Sequence, residues 1–498
     1  MNFTGLIAKI KEKAGGENGR FAGDLGFKAV TELCNALFGI LTFAILSRLL
    51  SKSDYAVVNQ TIAISSLIAP IILLKMNSAF CVFLAGEKDQ EIVKSRFFSV
   101  LLVSLPFCAL VLAVMWIFGD RFSELMFSTP EYGNITPLMA LYFVLLSLSS
   151  LVQTFYQAIN RQKKSNVFIL LRVVLTTFGF AALSLIPGFF TLPFALLVYV
   201  IVEGIVFLFS FFSLIVDFHR IPLHLEFLPL EEYYRYALPL MPFAIMGWIN
   251  SFIGRFILNH LMDLENSGIF SFDSALISRA FFINAVIVYT IFPYISKFWN
   301  EGNKSKVVSY LRKATNIGVF FALPLTFGIV AVAPTIVEIL SGGNYPTDRL
   351  LLGLICFANL FLMLYTIYSF LIDLSRRTML YNVIFLISSL INIGLNYLLI
   401  PIWGLYGAGA AMLISYIIQF FLTLFIGNLA AQLQISIDWP FMLRSLVCSL
   451  FMFLVCLLVY GEGGLLRCIL TVIIGCIVYF STSYAWARLT RRSLIWDN

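Results

Sequence analysis

Fourteen apolar segments, each long enough to cross a bilayer, leave this chain few ways to fold. They start near Phe21, Ala56, Phe97, Ile135, Val167, Pro193, Tyr236, Ile269, Ala314, Leu350, Leu380, Leu405, Pro440 and Leu465. A spanning helix needs about 20 predominantly apolar residues. In lipid the backbone must satisfy its own hydrogen bonds, so only helices and closed barrels cross. Composition points the same way: 60% of residues are hydrophobic and 12% charged, against about 25% charged in a soluble domain. The fold expected is an all-α integral membrane protein with 14 transmembrane helices.

Loop charge orients those helices. If the N-terminus is cytoplasmic, that side receives twenty-three Lys and Arg residues, among them Lys88, Arg161, Lys304, Arg376, Arg444 and Arg491. The opposite side receives five: Arg48, Lys52, Arg121, Arg349 and Arg467. Such an asymmetry follows the positive-inside rule, so both termini are expected in the cytoplasm. The basic balance therefore reports orientation, and no nucleic-acid partner is expected. No cleavable signal peptide is expected at the N-terminus, because residues 1–20 are polar and basic. Phe3, Leu6, Ile7 and Ile10 fit either a short interfacial helix or a basic tail.

Several function classes drop out. The eight cysteines form no C-x-x-C pair and read as small apolar filler. There are three histidines, two of them (His219 and His224) in a polar loop, so no metal site is expected. No nucleotide-cradling or hydrolase motif stands out, and no cofactor is implied. The longest external loop, roughly 119–134, is too small for a catalytic unit, which argues against an enzyme.

A faint duplication organises the chain. LSRLLSKSDYA from Leu46 lies over LNHLMDLENSG from Leu258 at an offset of 212. FYQAINR (Phe155–Arg161) then matches FLIDLSR (Phe370–Arg376) at an offset of 215. The reading is a basic segment 1–20, six-helix lobes at 21–220 and 221–430, and two extra helices with a basic tail at 431–498. Parallel repeats of this kind are one transporter construction, with substrate bound where the repeats meet.

Five basic residues fall inside predicted spans: Lys28, Lys75, Arg172, Arg255 and Arg279. Each costs about 2.5–3.5 kcal/mol at a helix centre on an insertion scale, and such residues mark functional interiors. Lys28, Lys75, Arg255 and Arg279 sit on the first two helices of each half. Together they are the candidate substrate-binding cations of a positive cavity, and guanidinium forks suit carboxylate or phosphate. Glu32, Arg172, Glu203 and Asp273 are candidates for a cavity or ion-coupling role. Arg172 has the alternative of pairing with Glu203, and Lys28 that of neutralisation by Glu32.

The stretch Ile391–Ala411, INIGLNYLLIPIWGLYGAGAA, resembles a signature of the polysaccharide-export flippases of the multidrug/oligosaccharidyl-lipid/polysaccharide superfamily. So do YALPLMPFAIMGWINSFIGRFIL from Tyr236, FPYISKFWNEG from Phe292, YQAINRQKK from Tyr156 and LSGGNY from Leu340. The resemblance implies two pseudo-symmetric six-helix lobes forming a V around a central cavity, plus two C-terminal helices. It also implies transport of undecaprenyl-diphosphate-linked oligosaccharide by alternating access across a bacterial inner membrane, for surface polysaccharide. Polymerase and glycosyltransferases of that pathway are then the expected partners, beside membrane lipids. One departure stands out: Gly254 precedes Arg255 where many relatives carry an acid. Asn392, Asn396, Pro401, Gly404 and Gly407 read as a helix and turn signature serving the fold. A drug exporter of the same superfamily and a membrane glycan polymerase are the alternatives.

Overall fold

In lipid, a helix can turn its apolar side chains outward, and this chain does so throughout. The computed structural model describes residues 17–85, 87–225, 230–375, 377, 379–461 and 464–490, with the side chains of 17–29, 283, 289, 290 and 293 outside the description. All regular structure among the described residues is helical. Trp116, Leu185, Leu458 and Leu489 are each more than three-quarters exposed, a surface that suits an apolar solvent. The expected interfacial helix within residues 1–16 lies outside the described residues.

In chain order the helices are α1 (Glu17–Leu49), α2 (Lys52–Ile72), α3 (Met76–Phe83), α4 (Gln90–Ile117), α5 (Gly119–Phe127), α6 (Thr136–Ala158), α7 (Gln162–Ser184), α8 (Leu192–Phe218) and α9 (Leu230–Ala237). They continue with α10 (Met241–Leu261), α11 (Leu264–Ala280), α12 (Ile283–Asn300), α13 (Lys304–Ser341) and α14 (Arg349–Ser375). The last are α15 (Leu380–Trp403), α16 (Leu405–Ala431), α17 (Trp439–Tyr460) and α18 (Leu465–Leu489). Among the described residues, 14 segments are long and apolar enough to cross a membrane, and each corresponds to one span expected from sequence.

The chain divides into two compact units. Unit 1 comprises Met1–Leu49 and Val58–Ala244; unit 2 comprises Leu50–Val57 and Ile245–Asn498. The core of unit 1 is aromatic. Phe80 on α3, Phe97 on α4 and Phe155 on α6 are fully buried, with ring centroids 6.0 Å apart for Phe80–Phe155 and 4.8 Å for Phe97–Phe155. At one end Asp217 on α8 accepts from Tyr156, Arg161 and Lys164 at 2.5–2.9 Å, tying α6, α7 and α8 together.

Unit 2 packs by close backbone approach. Gly409 and Gly427 on α16 face Leu351 and Leu371 of α14, where an added Cβ would lie 3.2 Å and 3.0 Å from side-chain atoms. Small residues let membrane helices approach in this way. The two last helices are clipped to α13: Tyr460 Oη lies 2.6 Å from Thr335 Oγ1, and Tyr479 Oη donates to the Phe320 carbonyl at 2.7 Å. Arg444, counted from sequence as a loop residue, lies inside α17 and is 5% exposed. Its guanidinium stacks over the Phe441 ring at 4.7 Å, so the apolar end of that ring solvates what loop counting placed in water.

The signature stretch is a tight helical hairpin. Gly404 ends α15 at φ 56° and ψ −128°, a backbone conformation open mainly to glycine. Asn396 Nδ2 donates to the Asn392 carbonyl and to Asn392 Oδ1, both at 2.8 Å, so these amides bond along their own helix. At Gly407 an added Cβ would stand 2.3 Å from the Leu399 carbonyl oxygen and 2.7 Å from the Ile400 nitrogen. Backbone cannot give way as a flexible side chain can. Gly407→Ala is therefore expected to cut folded protein in membranes severely, at about 3 kcal/mol or more, as read by fluorescence-detected gel filtration. Wild-type yield from that variant would refute the close approach.

Candidate functional site

At two of the spans a short non-helical turn adjoins a candidate cation. In unit 1 the second span stops at Ile72 and resumes at Met76. Leu74 and Lys75 take left-handed φ values of 46° and 60°, a conformation that costs a non-glycine residue about 1–3 kcal/mol and persists only where the surroundings enforce it. Pro70, which offers no N–H, lies just before the break, and the Lys75 N–H reaches back to its carbonyl at 2.9 Å. In unit 2 the eighth span stops at Ala280 and resumes at Ile283, with Arg279 in the last turn before the gap. Counted by the repeat expected from the sequence, each is the second helix of a half. Discontinuous helices at corresponding positions of two repeats are the recurrent setting for transporter sites.

In unit 1, Lys75 caps α3 without a side-chain cap bond. It is half-buried, and among the described residues its ammonium makes no hydrogen bond or ion pair. Lys28 lies on α1, but its side chain falls outside the described residues. Glu32, one turn further along α1, is half-buried. Arg172 on α7 is engaged: its Nε sits 2.6 Å from Oε1 of Glu203 on α8, and Glu203 is 3% exposed. That pair supports a structural bridge between neighbouring helices.

In unit 2, Arg255 stands on α10. Its Nε is buried with no hydrogen-bond partner, and its guanidinium lies over the Phe252 ring at 5.3 Å. Among the described residues it forms no ion pair. The groups within its electrostatic reach are the hydroxyls of Tyr55 and Tyr416 and a second cation, Arg279. Arg279 Nη1 donates to the Ala275 carbonyl at 2.9 Å. Two neighbouring cations, one of them with an unused buried donor, attract an anion in low dielectric.

The same helix pair holds features that sequence reading missed. Gly268 on α11 meets the first turn of α2: an added Cβ would lie 2.2 Å from the Lys52 carbonyl oxygen. Lys52 Nζ bonds Glu265 Oε1 at 2.7 Å, and Tyr55 packs edge-on to Tyr345, which stacks on Phe272 at 4.3 Å. The first turn of α2 is thus anchored on α11. Gly254, where the family pattern expects an acid, faces Asn396: an added Cβ would stand 3.1 Å from Asn396 Oδ1, a buried acceptor without a partner among the described residues.

Asp273, on α11, is 1% exposed, and neither carboxylate oxygen has a hydrogen-bond partner among the described residues. Burying a lone carboxylate is costly unless its charge is cancelled. Asp273→Asn, which keeps the shape and removes the charge, is expected to leave thermal stability at the wild-type level or raise it. A fall of more than about 4 °C, roughly 1–2 kcal/mol for a chain of this size, would show that the carboxylate is held by a cation.

Residues 24–299 match the family model described as polysaccharide biosynthesis protein. The chain belongs to this family. A comparison with curated proteins returns no match. Among solved structures, the lipid II flippase MurJ in an inward closed conformation is similar at 16% identity and a TM-score of 0.75, over 93% of this chain and 99% of that one. An inward-facing multidrug resistance MATE family transporter of the MOP superfamily is 13% identical, with a TM-score of 0.67 over 81% and 98%. A MOP superfamily transporter from Pyrococcus furiosus Vc1, described by the reverse polarity of its binding pocket, is 13% identical, with a TM-score of 0.56 over 82% and 93%. At such identities the likeness shows the fold: this member of the polysaccharide biosynthesis family is a multi-pass membrane protein with the helical architecture of MOP transporters.

Proposed function

We propose that the protein is a flippase that moves undecaprenyl-diphosphate-linked oligosaccharide repeat units from the cytoplasmic to the outer leaflet for surface polysaccharide synthesis. Membership of the polysaccharide biosynthesis family and a fold shared with a lipid II flippase support transport of a lipid-linked sugar. The observation that carries the reading is Arg255, a membrane-embedded guanidinium that, among the described residues, has an unused buried donor, a second cation nearby and no carboxylate paired to it. A planar fork of this kind matches a phosphate. Arg255 and Arg279 are the cations read as holding the diphosphate, with Lys28 and Lys75 kept from the sequence as further candidates. The polyprenyl tail stays in lipid, and access alternates from one leaflet to the other.

The loop charges support two cytoplasmic termini, and the flippase reading implies the bacterial inner membrane. A potential negative inside does about 2.3 kcal/mol of work per charge per 100 mV, which drives an anionic head group outward. Depleting the protein in its own cell is expected to stop surface polymer while unpolymerised lipid-linked repeat units accumulate. Polymer made at the normal rate after depletion would contradict the proposal. Binding of cationic dyes, with none of lipid diphosphate, would favour a drug exporter.

A further inference from the structure

Unit 2 contains a polar cavity of about 530 Å³ away from the cations at the helix breaks. Its volume falls within the roughly 300–1,000 Å³ of small-molecule sites. It is lined where α12, α14 and α16 end, by Trp299, Asn300, Asp373 and Gln432 among others, with Lys304 and Arg377 contributing cations. These residues lie at the end of the unit that carries the basic loops. Phe292, at the base, packs on Phe370 with centroids 4.7 Å apart.

The chemistry of the wall selects a ligand class. Three helix C-termini carry partial negative charge and Asp373 adds a carboxylate, against one helix N-terminus at Lys304, so a simple anion is not favoured. Lys304 and Arg377 oppose a simple cation. What remains is a neutral ligand that both donates and accepts hydrogen bonds. Tyr381 Oη donates to Asp373 Oδ1 at 2.8 Å and lies 2.8 Å from the Ser369 carbonyl oxygen, which holds the carboxylate in place with its other oxygen open to a ligand hydroxyl. Gln432 caps α16 in a left-handed turn at φ 51°, and the half-buried Trp299 offers an apolar face with a polar edge. Amide, carboxylate and indole side by side suit the alternating polar rims and apolar faces of sugar rings.

We propose that this cavity is a subsite for the sugar portion of the lipid-linked substrate, separate from the cations that take the diphosphate. The assignment rests on the flippase reading and deepens it. The test uses the full chain in lipid nanodiscs and, as probe, the repeat-unit oligosaccharide released from its lipid diphosphate by mild acid. Saturable binding is expected, unaffected by inorganic pyrophosphate. Trp299→Ala and Asp373→Asn are each expected to weaken it about tenfold, the loss of one good contact, while Trp299→Phe, which keeps an aromatic face, weakens it less. No binding, binding at the wild-type level by both variants, or displacement by pyrophosphate would overturn the subsite. If the oligosaccharide fails to bind while Arg255→Gln stops export, the subsite falls and the flippase reading stands. If it binds here while depletion of the protein leaves surface polymer at its normal rate, the flippase reading falls.

Discussion

Arg255→Gln is expected to reduce polymer export at least tenfold while the protein still folds and reaches the membrane. The magnitude follows from the interaction removed: a charge-assisted hydrogen bond contributes about 1.5–3 kcal/mol, or about ten- to a hundredfold in binding. Folding should survive, because the guanidinium makes no ion pair among the described residues and its Nε has no partner to lose. Glutamine fills similar space and ends in a neutral amide that desolvates at lower cost. Arg255→Lys keeps the charge but loses the fork, so an intermediate rate is expected. Export and surface polymer are measured in cells whose own copy of the gene has been replaced. Equal export from Arg255→Gln would remove the residue from the site.

Breaking the bridge between α7 and α8 is expected to act on stability. Arg172→Met strands Glu203, which is 3% exposed, and removing one partner of a buried pair costs about 3–5 kcal/mol. The double variant Arg172→Met with Glu203→Leu replaces both charges by apolar groups of similar length and is expected to recover most of that loss. Thermal unfolding of the detergent-solubilised protein reads both. If the double variant unfolds as early as the single one, the pair is doing something other than cancelling its own charges. A double variant that is stable but cannot export would place the pair in the transport cycle.

The number of spans was legible because lipid imposes a length and a polarity that few sequences meet by accident. The Pro401–Gly407 hairpin was legible for a similar reason: proline and glycine report backbone demands that here were met, with Gly404 left-handed and Gly407 pressed on the Leu399 carbonyl. The breaks in the second and eighth spans were not. Leu74 and Lys75 carry no glycine to announce a left-handed turn, and Phe281 and Phe282 look like ordinary span residues. Only Pro70 and the cations themselves gave a signal. Asn392 and Asn396, read as part of the helix signature, lie four residues apart and bond to each other along that helix. Arg444 misled because loop counting weighs charge and ignores that an aromatic ring can cover a guanidinium. Arg172 kept two readings until the distance to Glu203 was known.

The central claim is that membrane cations, Arg255 first, carry a diphosphate head group across the bilayer. The direct measurement reconstitutes the protein in liposomes with a fluorescent polyprenyl-diphosphate-linked oligosaccharide and follows its transfer between leaflets with a membrane-impermeant quencher. The account predicts transfer that accelerates with an outward driving potential and falls at least about tenfold in Arg255→Gln, as the loss of one charge-assisted bond requires. Equal transfer by the wild type, Arg255→Gln and protein-free liposomes would contradict it.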